Sequence, residues 1–366
     1  MVAFKDLTLR EGAQVPGLQI SETAGRRVLT QLAELNIGRV EVAFPRAQHR
    51  ESWFRYADDL GLRTAALARA LPKDIDAALK VDPDEIEVIV TTSDVQLEYA
   101  LGKSKDEARD LLVSNVERAI DGGVDAGVTL MDAMRADNEY LAATAHAASE
   151  AGAKHVTLAD TTGAGTPDTV SETVTTVGDA VGNDVAIAIH THDDMGVATA
   201  NAVAGVDAGA SAVDATVGGI GERAGNAPLE EVAVLLAERG DTTELTLDEL
   251  VPVCRAVHES LGVDVPPGKS VIGNRAYRHE SGMHTAAMLK EPSTYEPFDP
   301  AKYGGERELL FGKDTGRGAV RALLKNAAVE PTPDRVDETL AAIRIETAEK
   351  NGPLTESDAR ELVRNL

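Results

Sequence analysis

The sequence predicts an α/β fold: a closed (β/α)8 TIM barrel followed by a smaller mixed C-terminal subdomain. Short apolar, β-rich runs alternate eight times with longer segments, several of them at helical spacing, and alternation that strict requires parallel strands joined by helices. Polar clusters follow several of the runs directly, which is where a barrel carries its site. An open doubly wound sheet would need a glycine fingerprint after the first strand, and Thr8-Leu9-Arg10-Glu11-Gly12-Ala13-Gln14 is not one.

Strands are expected at residues 2–9, 39–44, 63–69, 85–91, 125–130, 155–159, 184–189 and 212–217. The helix expected over 21–35 opens at Ser21 and carries leucine and alanine at helical spacing. Segments 104–121, 138–150, 167–181 and 228–238 follow the same rule, the last two with proline in the first turn, where its missing N–H leaves no bond unmade. Cys254 lies in a helix over 247–261 and reads as a buried structural residue. The alternation stops near residue 262, and Val265-Pro266-Pro267-Gly268 reads as a linker. The expected division is therefore a catalytic barrel over 1–262 and a linker with C-terminal subdomain over 263–366. The second part holds Glu280-Ser281-Gly282-Met283-His284, a proline- and glycine-rich loop over 295–305, and helices near 318–326 and 334–350.

The chain has 366 residues, 43% of them hydrophobic, enough for a large barrel core. No apolar run approaches the roughly 20 residues that span a bilayer, and the N-terminus shows no basic-then-apolar leader, so a soluble cytoplasmic protein with no membrane partner is expected. The single cysteine excludes an intrachain disulfide and a cysteine-rich metal site. A formal charge of -25, spread along the chain, would repel phosphates and argues against a nucleic-acid partner. Dispersed acid with few aromatics (3%) suggests a halophilic protein whose self-repulsion is screened by molar salt.

The apolar run ending at Ile189 leads into His190-Thr191-His192-Asp193-Asp194. Side chains two apart share one face of a strand, so both imidazoles point the same way. The first strand delivers Arg10-Glu11, a permanent cation beside a hard carboxylate. Two histidines and one carboxylate form a facial set with positions left open for substrate, and nitrogen and oxygen donors without thiolate suit Mn²⁺, Mg²⁺, Zn²⁺ or Co²⁺. The glycine-rich loop over 218–226 precedes a helix start, so its backbone N–H groups could face an anion. Asp160 and Thr161 follow the sixth strand. His284, taken alone, reads equally as a base or as a satisfied histidine.

Four segments resemble the signatures of the 2-isopropylmalate, homocitrate and citramalate synthase family: Asp6-Leu-Thr-Leu-Arg-Glu-Gly-Ala-Gln14, His190-Thr-His-Asp-Asp194, Gly221-Glu-Arg-Ala-Gly-Asn226 and Ser281-Gly-Met-His284. The likeness runs from residue 5 to about residue 320 and takes in Tyr295-Glu-Pro-Phe-Asp-Pro300 and Gly312-Lys-Asp-Thr-Gly316. The resemblance implies an acyltransferase that condenses acetyl-CoA with a 2-oxo acid and then hydrolyses the thioester, in homocitrate- or 2-isopropylmalate-type chemistry. It implies a divalent metal on Glu11, His190 and His192, with Asn226 close by. It gives Arg10 to the developing alkoxide, and Thr161 and Gln14 to substrate binding. His284 becomes the catalytic base and Tyr295 its companion, both supplied by the neighbouring protomer of a homodimer.

Two positions depart from that pattern. Met131 stands where relatives carry a carboxylate involved in catalysis, so that Asp132 or a water compensates or the chemistry is slower or different. Gly127 stands where many homocitrate synthases have an arginine, which weakens a homocitrate assignment. The alternatives are a citramalate synthase, a retro-aldol lyase of the 3-hydroxy-3-methylglutaryl-CoA type, and a degenerate non-catalytic relative. The lyase is disfavoured because that group relies on a cysteine in its glycine loop.

Overall fold

The computed structural model describes residues 1–182 and 185–366, which form two compact units, Met1–Val265 and Pro266–Leu366. In the first unit eight strands close a barrel in sequence order: β1 Ala3–Asp6, β2 Arg39–Ala43, β3 Arg63–Arg69, β4 Glu85–Thr91, β5 Asp125–Met131, β6 His155–Asp160, β7 Ala186–Thr191 and β8 Ala212–Ala215. Every neighbouring pair is parallel, and β1 closes the ring against β8 from Ala3↔Ala212 to Asp6↔Ala215.

Strand parity sorts the side chains. On β4, Ile86 and Val88 are buried towards the helices, whereas Glu87 reaches Lys5 and His155 across the barrel. At the layer of Glu87 the barrel axis is therefore ionic rather than filled by branched aliphatics. Lys5 Nζ lies 3.0 Å from Glu87, 3.1 Å from Asp214 and 3.7 Å from Glu41. Thr129 Oγ1 donates to Glu87 at 2.6 Å, and His155 Nε2 contacts the same carboxylate at 2.8 Å. A buried ammonium is tolerable only with such partners, and removing one partner of a buried pair costs about 3–5 kcal/mol.

Three strands end two or more residues from where they were expected. β1 stops at Asp6, and a one-turn helix, Thr8–Gly12, carries Arg10 and Glu11. Asp6 accepts from both the backbone N–H (2.9 Å) and the hydroxyl (2.7 Å) of Thr8, a local bond that draws the backbone out of the ladder. β7 runs on through His190 and Thr191, while Asp184, where the run was expected to begin, lies outside the described residues. β8 ends at Ala215 and a 3-10 turn, Val217–Gly219, follows.

Helix starts follow their caps. Ser21 accepts from the Ala24 amide ahead of helix Glu22–Glu34, and Ser104 forms a full capping box with Glu107 ahead of Lys105–Asp121. Pro167 opens its helix as expected, whereas Pro228 sits just outside Leu229–Glu238 as its N-cap. Cys254 is buried in Leu250–Leu261, and burial pushes its thiol well above the ordinary range.

The second unit has a three-stranded sheet, β9 Arg278–His279, β10 Glu308–Phe311 and β11 Leu354–Thr355, in the order β11-β10-β9. Phe311, Leu323, Ile343, Leu354 and Val363 join its core, with helices Arg317–Asn326, Pro333–Lys350 and Glu356–Asn365 packed around the sheet. Among the described residues no helix is long and apolar enough to cross a membrane.

Candidate active site

The turn after β1 and the end of β7 bring Glu11, His190 and His192 together, with ligand atoms of all three within 4.8 Å of one another. His190 Nε2 is 3.2 Å from His192 Nε2 and 4.0 Å from Glu11 Oε1. Asn226 joins them because an isolated bridge pairs it with His192. Gly221 makes room for this approach: a Cβ there would lie 2.1 Å from Asn226 Nδ2 and 3.4 Å from Glu11 Oε2.

Glu11, His190, His192 and Asn226 are all buried, and Glu11 Oε2, Asn226 Oδ1 and both imidazole Nδ1 atoms have no hydrogen-bond partner among the described residues. Burial, then the neighbouring imidazole and Arg10, holds His190 well below the usual histidine range; burial lowers His192 as well. Neutral imidazoles with facing Nε2 atoms beside an unsatisfied carboxylate and amide oxygen are what a nitrogen- and oxygen-liganded divalent cation requires. The donor set fits such an ion.

A cavity of about 200 Å³ opens beside these groups, lined among others by Arg10, Gln14 and Thr161. Arg10 pairs with both Glu11 and Glu41. Burial works against its charge, and the two carboxylates outweigh it, so the guanidinium stays protonated. Thr161 Oγ1 accepts from the Asp132 amide at 2.8 Å, which leaves its own proton free to donate. Asp214 lies under the histidines, its Oδ2 3.9 Å from His190 Nδ1 and 3.1 Å from Lys5. Burial pushes its carboxyl up to about 6, with Lys5 opposing that rise.

The first 257 residues match the HMGL-like family, and residues 271–351 match the homocitrate synthase post-HMGL domain-like family. The chain belongs to the HMGL-like family. The homocitrate synthase AksA of Methanopyrus kandleri is 39% identical over 369 residues, covering 100% of this chain and 92% of that protein. The probable 2-isopropylmalate synthase of the same organism is 38% identical over 94% of this chain and 69% of its own length. Its putative (R)-citramalate synthase is 36% identical over 100% and 72%. The HMG-CoA lyase from Brucella melitensis has a TM-score of 0.62 at 25% identity, over 71% of this chain and 97% of that one. That of Pseudomonas aeruginosa, at 24% identity and a TM-score of 0.62 over 72% and 94%, shares the fold.

Within this HMGL-like site two expectations are narrowed. In the loop over 218–226 five amides turn inward. The Gly218 amide donates to Glu230, those of Gly219, Ile220 and Gly225 close turns on Thr216, Val217 and Glu222, and that of Asn226 returns to Gly219. With those five amides spent, the loop offers an anion no more than the amides of 221–224 and its side chains. Nor does Asp132 replace the carboxylate missing at Met131. Met131 lines the cavity, whereas Asp132, at a φ of 59°, is tied to Ser93 and bound by Arg135 at 2.6 and 2.8 Å.

Within the second unit, His284 and Tyr295 stack with ring centroids 3.8 Å apart and planes 26° from parallel. Glu41, Asp214 and Lys5 went unnoticed in the sequence. The only mark of them is a charge flanked by apolar residues on at least one side, Lys5 after Phe4, Glu41 between Val40 and Val42 and Asp214 between Val213 and Ala215, with nothing to say that they face one another. Glu85, Glu87 and His155 also come close enough to hold an ion. Their carboxylates already receive Lys5, Arg39 and Thr129, which makes this group an ion-pair network rather than a metal centre.

Proposed function

We propose that this chain condenses acetyl-CoA with a 2-oxo acid and hydrolyses the resulting thioester, releasing free CoA. The observation that carries the reading is the convergence of Glu11, His190 and His192, with Asn226 beside them, next to a cavity that also presents Arg10 and Thr161. These four side chains would hold a divalent cation (Mn²⁺, Mg²⁺, Zn²⁺ or Co²⁺), which when bound polarises the keto group of the substrate as a Lewis acid.

The chain's own groups supply the rest. A base removes a proton from the acetyl methyl group, the carbanion forms a C–C bond to the keto carbon, and the keto oxygen becomes an alkoxide that is then protonated. Arg10, whose charge does not vary with pH in the working range, meets that alkoxide. Thr161 donates to the substrate carboxylate and Gln14 supports it from the rim. His284, stacked on Tyr295, is the base, offered by the C-terminal unit of the second protomer in a homodimer. Water then cleaves the thioester, and its proton leaves with the CoA thiol. Neither acetyl-CoA nor the oxo acid calls for a nucleic-acid or membrane partner, and the reading places the protein in a salt-rich cytoplasm.

The lyase reading loses its thiol, because Cys254 is buried in a helix and held protonated. The non-catalytic reading, which Met131 favours, predicts metal binding with no thiol release. A free-CoA assay with acetyl-CoA, Mn²⁺ and a panel of 2-oxo acids, in low and molar salt, decides between them. His190→Ala and Glu11→Ala are expected to abolish turnover and weaken metal binding. Full activity in His284→Ala would remove that residue from the reaction.

A further inference from the structure

The cavity has two unlike sides. β1 and its turn, β7 and β8 supply the ion-holding and charged groups, whereas Leu67 of β3, Ile89 of β4, Met131 of β5 and Ala159 of β6 line the other side. Registers of Thr91↔Met131 and Met131↔Ala159 set these residues on adjoining strands. A substrate gripped through its carboxylate and keto oxygen on the polar side must lay its side chain against this hydrocarbon.

The charges that line the cavity offer nothing to a second carboxylate. Its two cations are Arg10 and Arg223. Arg10 is held between Glu11 and Glu41. Arg223 is clamped by Asp194 at 2.8 and 3.0 Å and by the Thr161 carbonyl at 2.7 Å. Against these two stand four lining carboxylates, Glu11, Glu41, Asp214 and Glu222. Deeper on β5, position 127 cannot supply a side chain, because a Cβ on Gly127 would lie 2.1 Å from the His155 ring. Thr129 of β5 also lines that side, but its hydroxyl already donates to Glu87 at 2.6 Å, so a carboxylate pressed there would be desolvated with no donor, which is prohibitive for a charged group.

We infer that the 2-oxo acid used by this chain carries one carboxylate and a short apolar side chain, of the pyruvate, 2-oxobutyrate and 2-oxoisovalerate class. Dicarboxylic 2-oxo acids such as 2-oxoglutarate are excluded, and Leu67, Ile89 and Met131 set that choice. The inference rests on the condensation reading above. It departs from the substrate suggested by the name of the 39%-identical homocitrate synthase.

The test supplies the full chain with Mn²⁺ and acetyl-CoA and follows free thiol with each acid. The apolar monocarboxylic acids are expected to exceed 2-oxoglutarate by at least about 100-fold in kcat/KM. Equal or better turnover of 2-oxoglutarate overturns the inference while leaving the condensation reading intact. If no acid releases CoA, the condensation reading falls, and calorimetric titration of the Mn²⁺-loaded chain still reads the pocket. Tighter binding of 2-oxoisovalerate than of 2-oxoglutarate supports the inference, and the reverse order, equal binding or no binding overturns it. Met131→Ala enlarges the apolar side and is expected to raise the preference for 2-oxoisovalerate over pyruvate about tenfold, in kcat/KM or in affinity. An unchanged ratio removes Met131 from the specificity assignment.

Discussion

Asp6 and Asp214 are carboxylates that hold protons more tightly than usual, and each makes a separate prediction. Burial pushes Asp6 up to about 7 from an ordinary 3.8, against the opposing bonds from Thr8. The folded state therefore binds this proton more strongly than the unfolded state does. Its contribution to stability is complete below about pH 4, declines as pH rises to about 7, and changes no further above that, with an upper bound of about 4 kcal/mol. Asp6→Asn should flatten that decline in denaturant titrations from pH 4 to 8; an unaltered slope would clear Asp6. Asp214 faces His190 Nδ1, and a histidine bound to metal through Nε2 carries its proton on Nδ1. Asp214→Asn is expected to weaken Mn²⁺ binding about 10- to 100-fold by calorimetry, whereas wild-type affinity would deny the carboxylate this orienting role. The histidines were legible in the sequence because parity and chain position put them at the end of β7, and Glu11 because it follows the first apolar run, although on the turn after β1 rather than on the strand. Lys5 and Asp214 were not, because each reads as an isolated charge until the barrel closes and shows that they face one another.

At the level of single elements, local chemistry decided how far the sequence could be read. Helices 138–150 and 167–181 fall where expected, since their N-cap side chains, Asp137 and Thr166, stand in the sequence itself. The end of β1 was missed because the bond from Thr8 to Asp6 competes with a strand whose apolar pattern continues through Leu9. Five amides of the 218–226 loop are lost to an anion for a similar reason, as left-handed glycines such as Gly218 (φ 66°) and Gly225 (φ 95°) fold them inward. β5 yields a packing prediction. Gly127→Ala drives a methyl group into the His155 ring and should destabilise the first unit by about 1–3 kcal/mol in chemical denaturation. Adding His155→Ala should recover part of that loss only if the clash, rather than strand propensity, is responsible. A double variant no better than the single one points to the backbone.

On the scale of the whole chain, charge and assembly dominate. With 61 acidic against 36 basic residues, the folded protein repels itself, and screening should raise its unfolding midpoint by several degrees between low salt and molar potassium chloride. A midpoint that stays level or falls would contradict adaptation to salt. If the second protomer supplies His284, mixing His284→Ala with His190→Ala chains should restore measurable turnover from two inactive partners, and a mixture that stays inactive would place each base with its own barrel.

Lys5 also bears on how the chain comes to be folded. Its carboxylate partners lie on the second, fourth and eighth strands, so the ammonium of the first strand waits for an aspartate made some two hundred residues later. A half-barrel of β1 to β4 already gives that charge Glu87 at 3.0 Å and Glu41 at 3.7 Å, and Asp214 adds its contact at 3.1 Å only when the eighth strand arrives. Closure therefore adds a third carboxylate to a lysine that is already paired, and ties the last strand of the ring to the first by charge as well as by the ladder.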